Sequence, residues 1–177
     1  MKQALAALAL ITLGLVLCPA ARADSWTLDL LPPGGAISGP PGSTIGWGFT
    51  ITNQSSNTLF LDSLSADVFQ FATPNAGIFS FPAVNPNASL TVAYVPGTDG
   101  LYELTWDTNA PLGFVNSGMF VVTAEWCDAS GQCMAAPDQT VAYSATVTAN
   151  SAVPEPASAL LLATSLAGVA LRRKRIR

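Results

Sequence analysis

Two sets of residues in this chain have types and spacings that bear on chemistry: carboxylates and a pair of cysteines. Glu103 and Asp107 in "GLYELTWDTNA" are four residues apart on a strand-like stretch, so they share a face at a separation of about 13 Å. A glycosidase needs its two carboxyls about 5 to 9.5 Å apart. An acidic dyad would therefore require a cross-strand partner such as Glu125, and nothing in the sequence points to that pairing. Cys127 and Cys133 enclose "DASGQ", a spacing too long for a CxxC redox motif and without the further ligands a metal site requires. They are expected to form a disulfide across a hairpin loop, worth about 2 kcal/mol on the loop-entropy account.

The missing residue types exclude more than the present ones suggest. The chain has no histidine, and its seven Lys and Arg are Lys2, Arg22 and five residues between 172 and 177. Residues 24–152 thus carry ten carboxylates, Asp24, Asp29, Asp62, Asp67, Asp99, Glu103, Asp107, Glu125, Asp128 and Asp138, and no base, so that stretch is near −10 while the full chain is −4. Nucleic-acid binding relies on Lys and Arg at phosphates, and docking on anionic lipid relies on the same bases. Without His or Lys, the usual general bases and activators of Ser or Cys nucleophiles are absent too. No enzyme activity and no cofactor are expected. Weak surface calcium is the one ionic alternative, at Asp99, at Asp107 with Asn109, and at Asp128, although no Asp-x-Asp-x-Asp-Gly spacing occurs.

The elements that must position these groups read as strands. In "STIGWGFTIT", Ile45, Trp47, Phe49 and Ile51 alternate with Thr and Gly, the period of a half-buried strand. Similar runs are Trp26–Leu30, Leu90–Tyr94, Phe120–Trp126 and Val141–Val147, with shorter candidates at Leu59–Leu64, Ile78–Phe81 and Leu101–Trp106. Turn clusters such as "LPPGGAISGPPGS", "TNQSSN", "VPGTDG" and "NAPLGFVNSG" separate them. A helical turn is expected in "LDSLSADVFQF", at Leu61, Leu64 and Phe69. About eight short strands in about 130 residues predict an all-β antiparallel sandwich, with a barrel or jelly roll as the alternative. Trp47 and Trp126 fall on apolar phases and read as core. Trp106, beside Asp107 and Asn109 at a strand end, is the candidate for an exposed glycan contact.

Both ends of the chain have the layout of sorting signals. Residues 1–23 combine Lys2, an apolar stretch from Ala4 to Leu17, and Ala21-Arg22-Ala23 before Asp24, the pattern of a secretory signal peptide that signal peptidase cuts after Ala23. Cys18 does not sit in a lipobox, since Leu17 precedes it and Pro19 follows. At the other end, Ala157 to Leu171 is an uncharged run of fifteen residues, about 22 Å as a helix, and Arg172, Arg173, Lys174, Arg175 and Arg177 follow it. Bases beside an apolar segment stay cytoplasmic, so the run predicts a transmembrane stop-transfer helix that leaves residues 24–152 outside.

Val153-Pro154-Glu155-Pro156, the apolar run and the basic end together resemble the PEP-CTERM sorting signal of Gram-negative bacteria that make exopolysaccharide. The resemblance covers residues 153–177. It implies recognition by exosortase, a membrane-embedded cysteine transpeptidase that cleaves near the motif and passes the protein outward. Two prolines hold that stretch extended, as a protease requires. A second resemblance, of "PPGSTIGWGFTITNQSSNTLFL" to immunoglobulin-like modules of exported bacterial proteins, implies an immunoglobulin-like sandwich, though without the Cys, Trp, Cys framework of antibody domains. The sequence thus predicts an exported surface or matrix protein, transiently anchored in the inner membrane and linked to exopolysaccharide. A carbohydrate-binding module and an acidic-dyad glycosidase are the alternatives.

Overall fold

The computed structural model describes residues 24–150, and the expected signal peptide and sorting segment lie outside them. The described residues form eleven strands and no helix: β1 (Trp26–Leu31), β2 (Ala36–Gly39), β3 (Thr44–Asn53), β4 (Thr58–Ala66), β5 (Ala72–Asn75), β6 (Ala83–Val84), β7 (Ser89–Val92), β8 (Tyr102–Trp106), β9 (Val115–Cys127), β10 (Cys133–Ala135) and β11 (Gln139–Val147). One sheet runs β1-β3-β8-β5, with β7 beside β3; the other runs β2-β11-β9-β4-β6, with β10 beside β9. The two pack face to face as a sandwich.

The chain changes sheets early. β1 pairs antiparallel with β3, then Pro32–Gly35 turns and β2 joins the opposite sheet, where it runs parallel to β11. The expectation of a purely antiparallel sandwich is corrected at this pairing, which a strand crossing to the other sheet makes in order to reach β11 without reversing direction. Gly35 makes the crossing possible: its φ is +66°, and a Cβ there would strike the Ala142 carbonyl and the Leu30 side chain.

Alternation puts one face of each long strand into a shared core. Trp47, Phe49 and Ile51 of β3 meet Phe120, Val122 and Ala124 of β9 and Tyr143, Ala145 and Val147 of β11, all buried. The rings pack edge-on or offset, with Trp47 5.1 Å from Phe120 and 5.3 Å from Tyr143. The Trp47 indole N–H donates to the Gly35 carbonyl at 2.8 Å, tying the crossing to the core. On the outer face of the β3 sheet, hydroxyls pair across strands: Thr44 with Thr105, Thr50 with Thr91, Thr52 with Ser89.

Two local expectations are corrected. Leu61 and Leu64 belong to strand β4, not to a helical turn; the register slips between Leu61 and Ser63, so one extra residue gives the inward side chains a helix-like spacing of three. Ile78–Phe81 is not a strand: Ala76–Phe79 forms a turn closed by the Phe79 N–H on the Ala76 carbonyl, residues 79–81 are irregular, and Ile78 and Phe79 are buried.

Candidate functional site

Trp106 does not present a glycan platform. It alternates inward with Tyr102 and Leu104 on β8, is 1 % exposed, and its indole N–H has no partner. Asp107 and Asn109 are exposed in the loop that follows, so the three adjacent residues diverge. The other tryptophans are buried as well, and Trp26 donates its indole N–H to the Pro137 carbonyl at 2.8 Å. The signal for Trp106 was present in the sequence: Tyr102, Leu104 and Trp106 keep the period of two.

Glu103 sits on the opposite face of β8, buried beneath the 94–100 loop. Its carboxylate accepts the Gly97 N–H at 2.6 Å, the Tyr94 hydroxyl at 3.0 Å and the Asn75 amide at 3.2 Å. Burial alone would push the Glu103 pKa up, but these three donors together outweigh it, and the net shift is downward. Burial, the hydrogen bond to Glu103 and its charge all raise the Tyr94 hydroxyl. A glycosidase acid needs the reverse, a proton held to high pH. Nor does Glu103 have the cross-strand partner considered above: its neighbours are Gly46 and Asn75, while Glu125 lies on β9 of the other sheet. The arrangement fastens a loop. Tyr94 lies over Gly46, where any Cβ would collide with its ring. Sequence reasoning considered Glu103 as a catalytic acid and missed this role, because Asn75, Tyr94 and Gly97 come to it only through the tertiary fold.

The cysteines are joined. Cys127 and Cys133 face each other in the β9–β10 register and form a disulfide across the Asp128–Gln132 turn. Glu125 lies close to both sulfurs, but a disulfide leaves no thiolate to complete a metal set. Within the turn, Asp128 Oδ1 accepts from the Ser130 hydroxyl and from the Ser130 and Gln132 N–H groups. Those bonds, led by that from the Ser130 hydroxyl, hold its pKa below the usual carboxylate range.

The sandwich ends differ in what they expose. At the end where the chain leaves, the 110–114 loop is bonded to the last strand: Gly113 N–H donates to the Val147 carbonyl and Val147 N–H to the Phe114 carbonyl, at 2.8 and 2.9 Å. Phe71 packs edge-on against Phe114 at 4.9 Å and is 41 % exposed; Leu112 and Val115, near Phe114 along the chain, are 64 % and 48 % exposed. Phe71 is held at φ 52°, uncommon for a bulky residue, with its carbonyl accepting the Asp107 N–H. "NAPLGFVNSG" had read only as a turn; its Leu and Phe were the overlooked signal.

Residues 152–175, just past this exit, match the family model of the PEP-CTERM protein-sorting motif. The chain carries a PEP-CTERM sorting motif. The motif marks it as an exported protein that exosortase sorts. No curated protein matches the chain. Among solved structures it is similar to a chain of the CaDoc0917–CaCohA2 complex, at 18 % identity over 70 % of this chain and 100 % of that one, with a TM-score of 0.29. It is likewise similar to the sixth cohesin of Acetivibrio cellulolyticus scaffoldin B, at 12 % identity over 70 % of this chain and 99 % of that one, with a TM-score of 0.29. A family 123 glycoside hydrolase from Clostridium perfringens overlaps 71 % of this chain and 28 % of its own at 12 % identity and a TM-score of 0.31.

Proposed function

We propose that this PEP-CTERM protein is a noncatalytic structural or adhesive component of the cell surface or extracellular matrix, delivered there by exosortase and associated with exopolysaccharide. The sorting motif at residues 152–175 is the observation that carries the reading. In this proposal signal peptidase removes residues 1–23, residues 157–171 hold the chain in the inner membrane with bases 172–177 inside, and exosortase cuts near Val153–Pro156. The role requires no cofactor. An acidic, base-free domain suits a matrix of this kind by staying soluble and dispersed. The fold is proposed to be immunoglobulin-like in its finer topology, since β1-β3-β8-β5 facing β11-β9-β4 follows the A-B-E-D and G-F-C strand orders.

Intact-mass analysis of the protein recovered outside its host, with and without active exosortase, tests the reading. The expected product begins at Asp24 and ends near Pro154 to Pro156 only when the enzyme is active. A chain that keeps its arginine tail in both strains would overturn it, leaving a periplasmic domain tethered to the inner membrane.

A further inference from the structure

The apolar patch at the chain exit has a definite neighbour if the sorting segment is membrane-anchored. Only six residues, 151–156, separate Asn150 from the apolar run that begins at Ala157. Fully extended, the seven Cα steps from Asn150 to Ala157 span about 24 Å. The exit end therefore cannot move farther than that from the bilayer surface before cleavage. At this end Leu112, Phe71 and Val115 are exposed, with Asp107 and Asn109 exposed in the neighbouring loop, and the loop that carries Leu112 is bonded directly to the last strand. Val68, three residues before Phe71 in the same loop, is exposed too, and other exposed apolar residues, Phe60, Phe81, Val95, Met119 and Met134, are spread over other strands and loops.

We infer that, in the anchored precursor, Leu112, Phe71 and Val115 dock on the outward leaflet of the membrane, resting on its uncharged lipid. The inference depends on the anchoring proposed above. The lipid must be zwitterionic, because residues 24–152 offer no Lys, Arg or His to an anionic headgroup. Three side chains form a small contact, and the short tether makes it sufficient: holding the patch at the surface turns docking into an intramolecular step at high effective concentration. Docking would fix the orientation of the domain at the membrane surface, where a membrane-embedded protease works. Cleavage near Val153–Pro156 would then cut the tether and let the patch leave the membrane with its domain.

The test uses the full chain in phosphatidylcholine nanodiscs, with and without nitroxide-bearing lipid. A Leu112→Trp variant adds a fluorophore at the patch, against a native background of four buried tryptophans. Gln132→Trp places the same probe on the exposed Asp128–Gln132 turn at the opposite end. Lipid quenching is expected to reduce the added emission of Leu112→Trp at least threefold and to leave that of Gln132→Trp unchanged. Adding Phe71→Asp to Leu112→Trp should restore most of the emission, which separates docking from mere proximity; Asp tolerates the left-handed backbone at that position. Equal quenching at both probes, or no effect of Phe71→Asp, would overturn the inference while the chain still co-elutes with the discs. Shielding of Leu112→Trp from aqueous acrylamide without lipid quenching would mean that protein covers the patch, and would overturn it too. A chain that does not co-elute with the discs would sink the anchoring reading, and the docking inference with it.

Discussion

At the end of the sandwich far from the chain exit, polar groups close on one another; at the exit end, apolar side chains face out. The far end is organised around Asn53, which is fully buried. Its amide donates to the carbonyls of Asn57, Val84 and Asn85 at 2.8, 3.1 and 3.2 Å, and its side-chain oxygen accepts the Ser55 N–H at 3.0 Å. The disulfide and the Asp128 turn complete that end, where Met134 beside Cys133 is the one large apolar side chain of β10 left exposed. The exit end has a polar link of its own, in which Asn116 exchanges two bonds with the backbone of Gln70, but it also exposes Val68, Phe71, Leu112 and Val115 beside the polar 107–109 loop. One end satisfies itself, so its residues serve stability. The other leaves its apolar surface to whatever lies beside it.

The sharpest way to break this contrast is Asn53→Ala. Removing the amide strands the buried Val84 carbonyl and Ser55 N–H, each costing about 1–3 kcal/mol, while the part-buried Asn57 and Asn85 carbonyls can turn to water. A loss of about 3 kcal/mol is expected by chemical denaturation, with an unchanged m-value. A loss below about 1 kcal/mol would show that the far end has another source of order. Replacing Cys127 and Cys133 together by Ala comes next. The loop they close is short, so the loss expected in the same measurement is about 2 kcal/mol; full stability after the replacement would mean that the β9–β10 register holds itself.

Glu103 sharpens the contrast through pH. Its folded-state pKa lies below the ordinary value of 4.5, so the unfolded chain binds its proton first as acid is added. The Glu103 network is therefore fully stabilising above about pH 4.5, and that stability is lost as pH falls through the folded pKa. Glu103→Gln should flatten the acid limb of a stability–pH curve measured between pH 6 and 3. An acid limb identical to that of the parent chain would remove Glu103 from the account. Tyr94→Phe deletes one of the three donors and should cost about 1 kcal/mol at neutral pH, read from the shift in denaturation midpoint.

How much of this was readable from sequence follows from how far each residue's partners lie along the chain. Strands β3, β9 and β11 announced themselves because Trp47, Phe120 and Tyr143 each sit in a run where large apolar residues alternate with small or polar ones. β2 and β5 did not: "AISG" and "ATPN" are four-residue edge segments, too short for a period of two to stand out among the Gly, Pro and Asn around them. The cysteine pairing was legible because six positions separate the two residues and one turn joins them. Glu103 was visible as a carboxylate but not as a loop fastener, since Asn75 is 28 residues away. Trp106 was misplaced because its polar neighbours in sequence were weighed above its own phase in the strand. The sorting motif was readable for the opposite reason: its recognition depends on local order along the chain, not on a fold.

The smallest expected effect belongs to the exit end. Leu112 is 64 % exposed and lies in a loop held by backbone bonds, Gly113 to Val147 and Phe114 to Pro111, that do not involve its side chain. Leu112→Ser should therefore change the stability of the full chain by no more than about 0.5 kcal/mol, the range of surface substitutions away from caps, cores and networks. Denaturation of the two chains side by side in detergent measures it. A loss above about 1 kcal/mol would mean that Leu112 helps hold the fold, and the two ends would then differ only in degree. A neutral result would leave the side chain without a role in folding, as expected of a residue whose contacts lie outside its own domain.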